Sequence, residues 1–265
     1  MSTPYSFDNA WIQTRQRLNA LEMRFDPGTI RHLQARGVSE GWRCLEVGAG
    51  AGSIATWLSR QVGPGGHVLA TDMDTRLIED LRGPNLEVRR HDAVIDELPV
   101  GEFDLVHARA LLAHLPDRDR VLSKMVAALR PGGWLVCEEL DGMTITLVAP
   151  EDPGAVELYG KVEAAIAAVM TAQGHAYDYG RRLPARLASA GLVEIDAEGR
   201  LLLRRAGAGA VVARLTAEQL KDELLEAGAL SGVECAAYFE LLENPAFLAQ
   251  PATMLAAWGR RPPLE

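Results

Sequence analysis

Short apolar runs alternate along the first half of the chain with stretches whose apolar residues recur at helical spacing. Cys44 to Val47, His67 to Thr71, Leu86 to Arg90, Phe103 to His107 and Trp134 to Glu138 read as strands, and Met254 to Gly259 reads as a last apolar strand. Ile54 to Gln61, Thr75 to Leu81 and Arg120 to Leu129 carry helical spacing between them. This alternation predicts an α/β fold, a doubly wound seven-stranded mostly parallel sheet with helices on both faces. Ahead of it, residues 8 to 25 read as a helix, Asp26-Pro27-Gly28 as its break, and Thr29 to Arg36 as a second helix. Beyond Asp141 the pattern changes. Asp152-Pro153 open a helix to about Gln173 with Leu158, Val162 and Ile166 on one face, and Leu183 to Ala190 form another helix. A sixth strand lies within Leu192 to Leu203, and residues 208 to 243 are mainly helical.

The first strand runs into a turn in which Gly48, Gly50 and Gly52 alternate with Ala49 and Ala51. Glycines there can adopt positive φ, and without a Cβ they let a ligand approach the main chain and the N–H groups opening the next helix. The dinucleotide fingerprint needs its third glycine at position 53, which is Ser53. The pattern Glu46-x-Gly48-x-Gly50-x-Gly52 instead resembles motif I of the class I S-adenosylmethionine-dependent methyltransferases.

Three later segments fit that resemblance in order and spacing. The second strand ends at Asp72, beside the first turn at the switch region of the sheet, where an acidic side chain can accept from both ribose hydroxyls; Met73 would cover the adenine. Asp92 follows the third strand, where the family has an aspartate on the adenine amino group, and Ala93 adjoins it. The fourth strand leads through Ala108 and Arg109 to His114-Leu115-Pro116-Asp117, and Leu129-Arg130-Pro131-Gly132-Gly133 introduces the fifth. The resemblance covers residues 42 to 140. It implies a Rossmann-like methyltransferase fold, S-adenosylmethionine as methyl donor with S-adenosylhomocysteine as product, and a last strand inserted antiparallel. The donor-binding set it implies is Glu46, Gly48, Ala49, Gly50, Gly52, Ser53, Asp72, Met73, Asp92, Ala93, Ala108 and Arg109. Trp11 and Arg17 join it from leading helices that close over the site in related enzymes; an aromatic staple and a surface cation describe them equally well.

On this reading residues 1–40 form a helical cap, 41–140 the donor-binding core, 141–190 a helical lid, and 191–265 the end of the sheet with a helical insertion. His107, His114, His175, Tyr177 and Tyr179 are the residues able to take a proton from an acceptor, with His114, His175 and Tyr179 the candidate catalytic set. A surface hinge loop would explain the group at 175–179 as well. A net charge of −9 argues against a nucleic-acid surface. Cys44, Cys137 and Cys235 lack Cys-x-x-Cys spacing and read as reduced thiols. The start of the chain lacks the basic-then-apolar pattern of a leader, and no run approaches the roughly 18 apolar residues of a membrane span. The expectation is a cytoplasmic protein, monomer or homodimer, with a small-molecule acceptor. Three lysines against abundant arginine suggest a GC-rich bacterial source.

Metal-dependent catechol enzymes carry acids after the fourth strand and an Asp-Asn pair after the fifth. Ala108-Arg109 and Glu138-Glu139-Leu140-Asp141 stand there, so no metal is expected. The Pro-Pro-Tyr loop of DNA amino-methyltransferases is absent at 107–110, no cysteine follows a proline, and the protein-arginine double-Glu loop is missing. Methyl transfer to a small organic acceptor, as in natural-product tailoring, is the leading reading. A donor-binding protein that cyclises or decarboxylates its substrate is a second, and a nicotinamide-dependent oxidoreductase a third.

Overall fold

The computed structural model describes residues 13–263. Its strands are β1 (Arg43–Val47), β2 (His67–Asp72), β3 (Leu86–Arg90), β4 (Phe103–Arg109), β5 (Leu129–Asp141), β6 (Thr146–Ala149), β7 (Val193–Arg200), β8 (Arg204–Arg205), β9 (Leu248–Gln250) and β10 (Thr253–Arg260). Seven form one sheet in the order β3-β2-β1-β4-β5-β10-β7. β1 to β5 pair in parallel, and β10 runs antiparallel between β5 and β7. The strand order reverses between β1 and β4, so their carboxyl ends diverge and leave a crevice, the usual ligand position in open α/β sheets.

Both faces of the sheet are covered, as buried parallel strands require. Leu45, Val106, Leu135 and Cys137 pack under α3 (Arg118–Ala128) and α5 (Tyr179–Ser189). Cys44, Val68, Leu105 and Val136 pack with Leu33 of α1 (Thr14–Ala35) and with Ile54 and Leu58 of α2 (Ser53–Val62). Burial pushes the Cys44 and Cys137 thiols up, which keeps them unreactive at neutral pH.

The expected break at Asp26-Pro27-Gly28 does not occur, and α1 runs through Pro27. Tertiary contacts outweigh the lost backbone donor. Arg109 holds Asp26 at 2.8 Å and Thr29 Oγ1 at 2.9 Å, one on each side of the proline. The expected helix at 75–81 is two short 3-10 turns, Thr75–Leu77 and Glu79–Leu81, with the Asp74 side chain accepting from Arg76 N. β5 begins five residues earlier than expected, because Leu129 already pairs with Phe103 through a register shift.

The segments expected as a lid and as a later helical insertion form one cap. α4 (Pro153–Ala172), α6 (Val211–Gln219), α7 (Lys221–Glu226) and α8 (Gly232–Glu243) share a core of Tyr159, Val162, Ile166, Leu224, Tyr238 and Phe247. A small sheet, ordered β6-β9-β8, closes it. α5 packs on the main sheet through Leu183 and Leu187, whereas α4 packs in the cap. Among the described residues no helix is long and apolar enough to cross a membrane.

Candidate active site

A cavity of about 710 Å³ lies between the carboxyl ends of β1 to β4, helix α1 and the cap. Its floor is the glycine turn. Gly48, Gly50 and Gly52 have φ of 75°, 60° and 87°, a region that residues with a Cβ rarely occupy. The backbone is braced from below by Gly48 N and Ala49 N donating to Thr71 O at 2.8 and 2.9 Å. The glycines divide the work. A Cβ on Gly50 would meet only Leu18 Cδ2, in ordinary contact at 3.8 Å, and Gly50 lines the cavity, so this residue keeps the cavity floor bare. Gly52 does not line the cavity; a Cβ there would collide with Leu81 and Ile78, and its role is to let α2 start against those side chains. Ala49 and Ser53 line the floor, and Ser53 N donates to Glu22 Oε1 of α1 at 3.1 Å.

Acidic groups stand at the ends of the next strands. Asp72 Oδ2 accepts from Gly50 N and Oδ1 from Asp74 N, both at 2.9 Å, which fixes the carboxylate at the edge of the turn. Burial raises its pKa, opposed by those two N–H groups. Each oxygen keeps a second lone pair, so the group can still accept from a diol. Met73, Asp92 and Ala93 line the same wall, with Asp92 Oδ1 accepting from Val94 N at 2.9 Å. Sequence reasoning passed over His91, which is buried beside Asp92 and also lines the cavity.

Beneath the turn runs a buried chain of charges that crosses three strands. His107 on β4 lies between Glu46 on β1, 2.7 Å from its Nδ1, and Glu138 on β5, 3.8 Å from its Nε2. Burial alone would lower the imidazole pKa, but the two carboxylates outweigh it and raise it to about 9. Glu138 is held below its ordinary value against its own burial by His107, Arg109 and Thr29. Thr29 Oγ1 donates to Glu138, and Arg109 joins Thr29 to Asp26, so the chain ends on α1. His107 is therefore occupied beneath the site. Ala108 points into the sheet core and does not line the cavity, whereas Arg109 and Ala110 do. Arg17 of α1 lines the cavity; Trp11 lies outside the described residues.

The segment after β4 is held by Glu139, whose Oε1 accepts from Leu111 N at 2.9 Å and Leu112 N at 2.6 Å. That bond pair turns Leu111 onto Gly48 and brings His114 to the cavity wall. Burial raises the Glu139 pKa to about 7, opposed by the backbone donors. A raised carboxyl pKa contributes stability that is present below its unfolded value and is lost as pH rises through about 7. Glu139→Gln keeps an acceptor oxygen and cannot ionise. Urea unfolding should show it more stable than wild type by about 1–2 kcal/mol at alkaline pH, with the gain shrinking below the unfolded carboxyl pKa.

His114 meets His175, from the loop after α4, with their Nδ1 atoms 3.1 Å apart. Burial lowers both imidazole pKa values, that of His175 to about 4 with Arg118 adding to the effect. The pair is thus neutral at pH 7, one ring donating and the other accepting. The Tyr177 ring stands edge-on to His175 at 5.4 Å and also lines the cavity. Tyr179 does not. It is buried at the start of α5 under Arg118 and faces a separate polar cleft with Asp178 and Arg182.

Beyond Tyr177 the cavity is walled by Ile145, Ile166, Met170, Val212 and Ala213, with Glu163 and Arg204 among them. Sequence reasoning missed both. Their signal was a charge inside an apolar stretch: Glu163 beside Val162 on the buried face of α4, and Arg204 directly after Leu201 to Leu203.

The strand order with antiparallel β10 and the glycine turn flanked by acids define the fold and crevice of class I methyltransferases. Residues 45–135 match the family described as a methyltransferase domain. The chain is 35% identical over 101 residues to the methyltransferase str2 of Strobilurus tenacellus, 37% of this chain and 36% of the relative. It is 31% identical over 125 residues to a ubiquinone/menaquinone biosynthesis C-methyltransferase of Hahella chejuensis, covering 44% and 50%. The chain thus matches between about a third and a half of the length of these curated relatives. A putative methyltransferase from Bacillus halodurans superposes with a TM-score of 0.56 at 19% identity, covering 88% of this chain and 98% of that one. A Haemonchus contortus phosphoethanolamine N-methyltransferase, solved with phosphomonomethylethanolamine and S-adenosylhomocysteine, gives 0.52 at 16%, covering 94% and 53%. The chain has the class I S-adenosylmethionine-dependent methyltransferase fold, and residues 45–135 within it match the methyltransferase-domain family.

Proposed function

We propose that this protein transfers the methyl group of S-adenosylmethionine to an O, N or C nucleophile of a small organic acceptor, without a metal. The observation that carries this is one continuous cavity, with the glycine turn and the Asp72 and Asp92 strand ends at one side and an apolar chamber at the other. The residues fit the donor: bare backbone at Gly50, a fixed carboxylate with spare lone pairs at Asp72, and Met73 and Asp92 on the adenine side. When bound, S-adenosylmethionine supplies an electrophilic methyl group for in-line displacement. Because charge is dispersed in that step, the apolar walls at Ile145, Ile166, Met170 and Val212 assist it by keeping water out and the acceptor aligned.

The His114–His175 pair lines the same cavity. For an acceptor that carries a proton, we assign His175 Nε2 to accept it, with His175 Nδ1–H donating to His114 Nδ1 and fixing the tautomer of both rings. The pH dependence of kcat/KM should therefore show no loss from these histidines between about pH 6 and 8, and a falling limb only as pH drops toward 4, where His175 gains its proton. We favour a cytoplasmic, natural-product setting by family analogy alone. Incubation with donor labelled in the methyl group and a panel of phenols, amines and β-dicarbonyl compounds tests the activity. The expected result is one S-adenosylhomocysteine per methylated product; product formed with the donor intact would favour cyclisation or decarboxylation instead.

A further inference from the structure

The cap lines the cavity with apolar side chains, Ile145, Ile166, Met170, Val212 and Ala213. Among the described residues the ionised groups that the cap elements add to this wall are Glu163 of α4 and Arg204 of β8. They are closed on each other. Arg204 Nη1 lies 3.4 Å from Glu163 Oε1 and donates to Tyr159 Oη at 3.2 Å, and Tyr238 Oη donates to the same Glu163 oxygen at 3.0 Å. Against the burial of Arg204, Glu163 with Tyr159 and Tyr238 raises its pKa, so the guanidinium stays charged and the pair balances. The clamp ties β8 to α4 and adds no net charge to the chamber. The cations that α1 and β4 bring to the cavity are engaged as well, Arg109 with Asp26 at 2.8 Å and Arg17 in contacts of its own. Tyr177 adds a neutral aromatic face. Its ring lies where a Cβ on residue 142 would collide with it, which Gly142 avoids, and it meets His175 edge-on. A charged ligand entering this chamber would give up its hydration without gaining an open counter-ion, whereas an uncharged apolar one loses little and removes the walls from water.

We infer that the acceptor binds the cap chamber uncharged, as a molecule with an apolar aromatic or alicyclic body and a nucleophile in its neutral form. This rests on the methyl-transfer reading, because it takes the chamber lined by the cap as the acceptor site. A hydroxyl acceptor then enters with its proton in place. Its bond to the methyl carbon forms as the carbon–sulfur bond breaks, the electron pair going to sulfur and the proton to His175 Nε2. The balanced clamp selects against ionised acceptors of either sign, since Glu163 is spent on Arg204 and Tyr238, and Arg204 on Glu163 and Tyr159.

The test uses protein saturated with S-adenosylhomocysteine and two fluorescent probes that share one skeleton, neutral N-phenylnaphthylamine and anionic anilinonaphthalenesulfonate. The neutral probe should bind at least about tenfold more tightly, because the sulfonate meets no open cation. Val212→Trp fills the chamber and should abolish binding of the neutral probe. Glu163→Gln keeps an acceptor oxygen for Tyr238 but leaves the Arg204 charge unbalanced, and should raise the affinity for the sulfonate about tenfold. The S-adenosylhomocysteine affinity of each variant reports its fold, and where a variant loses it the wild-type comparison decides. A sulfonate that wild type binds as tightly as the neutral probe, neutral-probe binding that survives Val212→Trp, a preference unchanged in Glu163→Gln, or no binding of either probe would overturn the inference. Failure of wild type to bind S-adenosylhomocysteine would overturn the methyl-transfer reading as well, and is distinguished by that readout.

Discussion

Replacing His107 with leucine is expected to cost about 3–5 kcal/mol of unfolding free energy near pH 6, the penalty for removing one partner of a buried ionic group. The imidazole is fully buried between Glu46 and Glu138, and its loss leaves two carboxylates facing each other across β4 with no cation between them. The sign of the pH dependence follows from the shifts. His107 is raised to about 9, so its contribution is complete below the unfolded histidine value and fades as pH rises through about 9. Glu138 is depressed, so its contribution is present above the unfolded carboxylate value and fades as pH falls through the folded one. Wild type should therefore lose its advantage over His107→Leu in urea unfolding as pH rises from about 6 to 10. A cost that is small and equal at both pH values would mean that the chain of charges is not a structural tie.

The second large effect concerns the donor. Asp72→Ala should weaken S-adenosylhomocysteine binding by about 3 kcal/mol, roughly a hundredfold, because charge-assisted hydrogen bonds to the ligand are lost together with the brace on Gly50 N. Asp72→Asn keeps one acceptor oxygen and should lie between the two. Unfolding of Asp72→Ala should stay close to wild type, since the carboxylate stands at the cavity edge and not in the sheet core. Unchanged affinity in the alanine variant would remove Asp72 from the donor site.

The half of the site legible in the sequence was the half encoded locally. Glu46, the glycine turn, Asp72 and Asp92 each sit at the end of a strand with its own apolar pattern, and the order of those strands carries them to one crevice. Two members of the expected donor set do not line the cavity: Ala108 points into the sheet core, and a Cβ at Gly52 would meet Ile78 and Leu81. What could not be read depends on partners distant in the chain. The Glu46–His107–Glu138 contacts arise from the register of β1, β4 and β5, which no single segment encodes. Helix α1 passes Pro27 because Arg109 and Thr29 hold it, some 80 residues apart in sequence. The cap is assembled from two stretches on either side of α5 and β7, so neither stretch alone shows a complete apolar core. Tyr179 illustrates the same limit: it follows Tyr177 by two residues, yet the start of α5 turns it beneath Arg118 and away from the cavity.

If the glycine turn with Asp72 holds a sulfonium nucleoside, calorimetric titration of the purified protein with S-adenosylmethionine, S-adenosylhomocysteine and NAD should give saturable one-to-one binding of both sulfur ligands and none of NAD. Binding of NAD with neither sulfur ligand would contradict it, and the assignment of the cavity would fall with it.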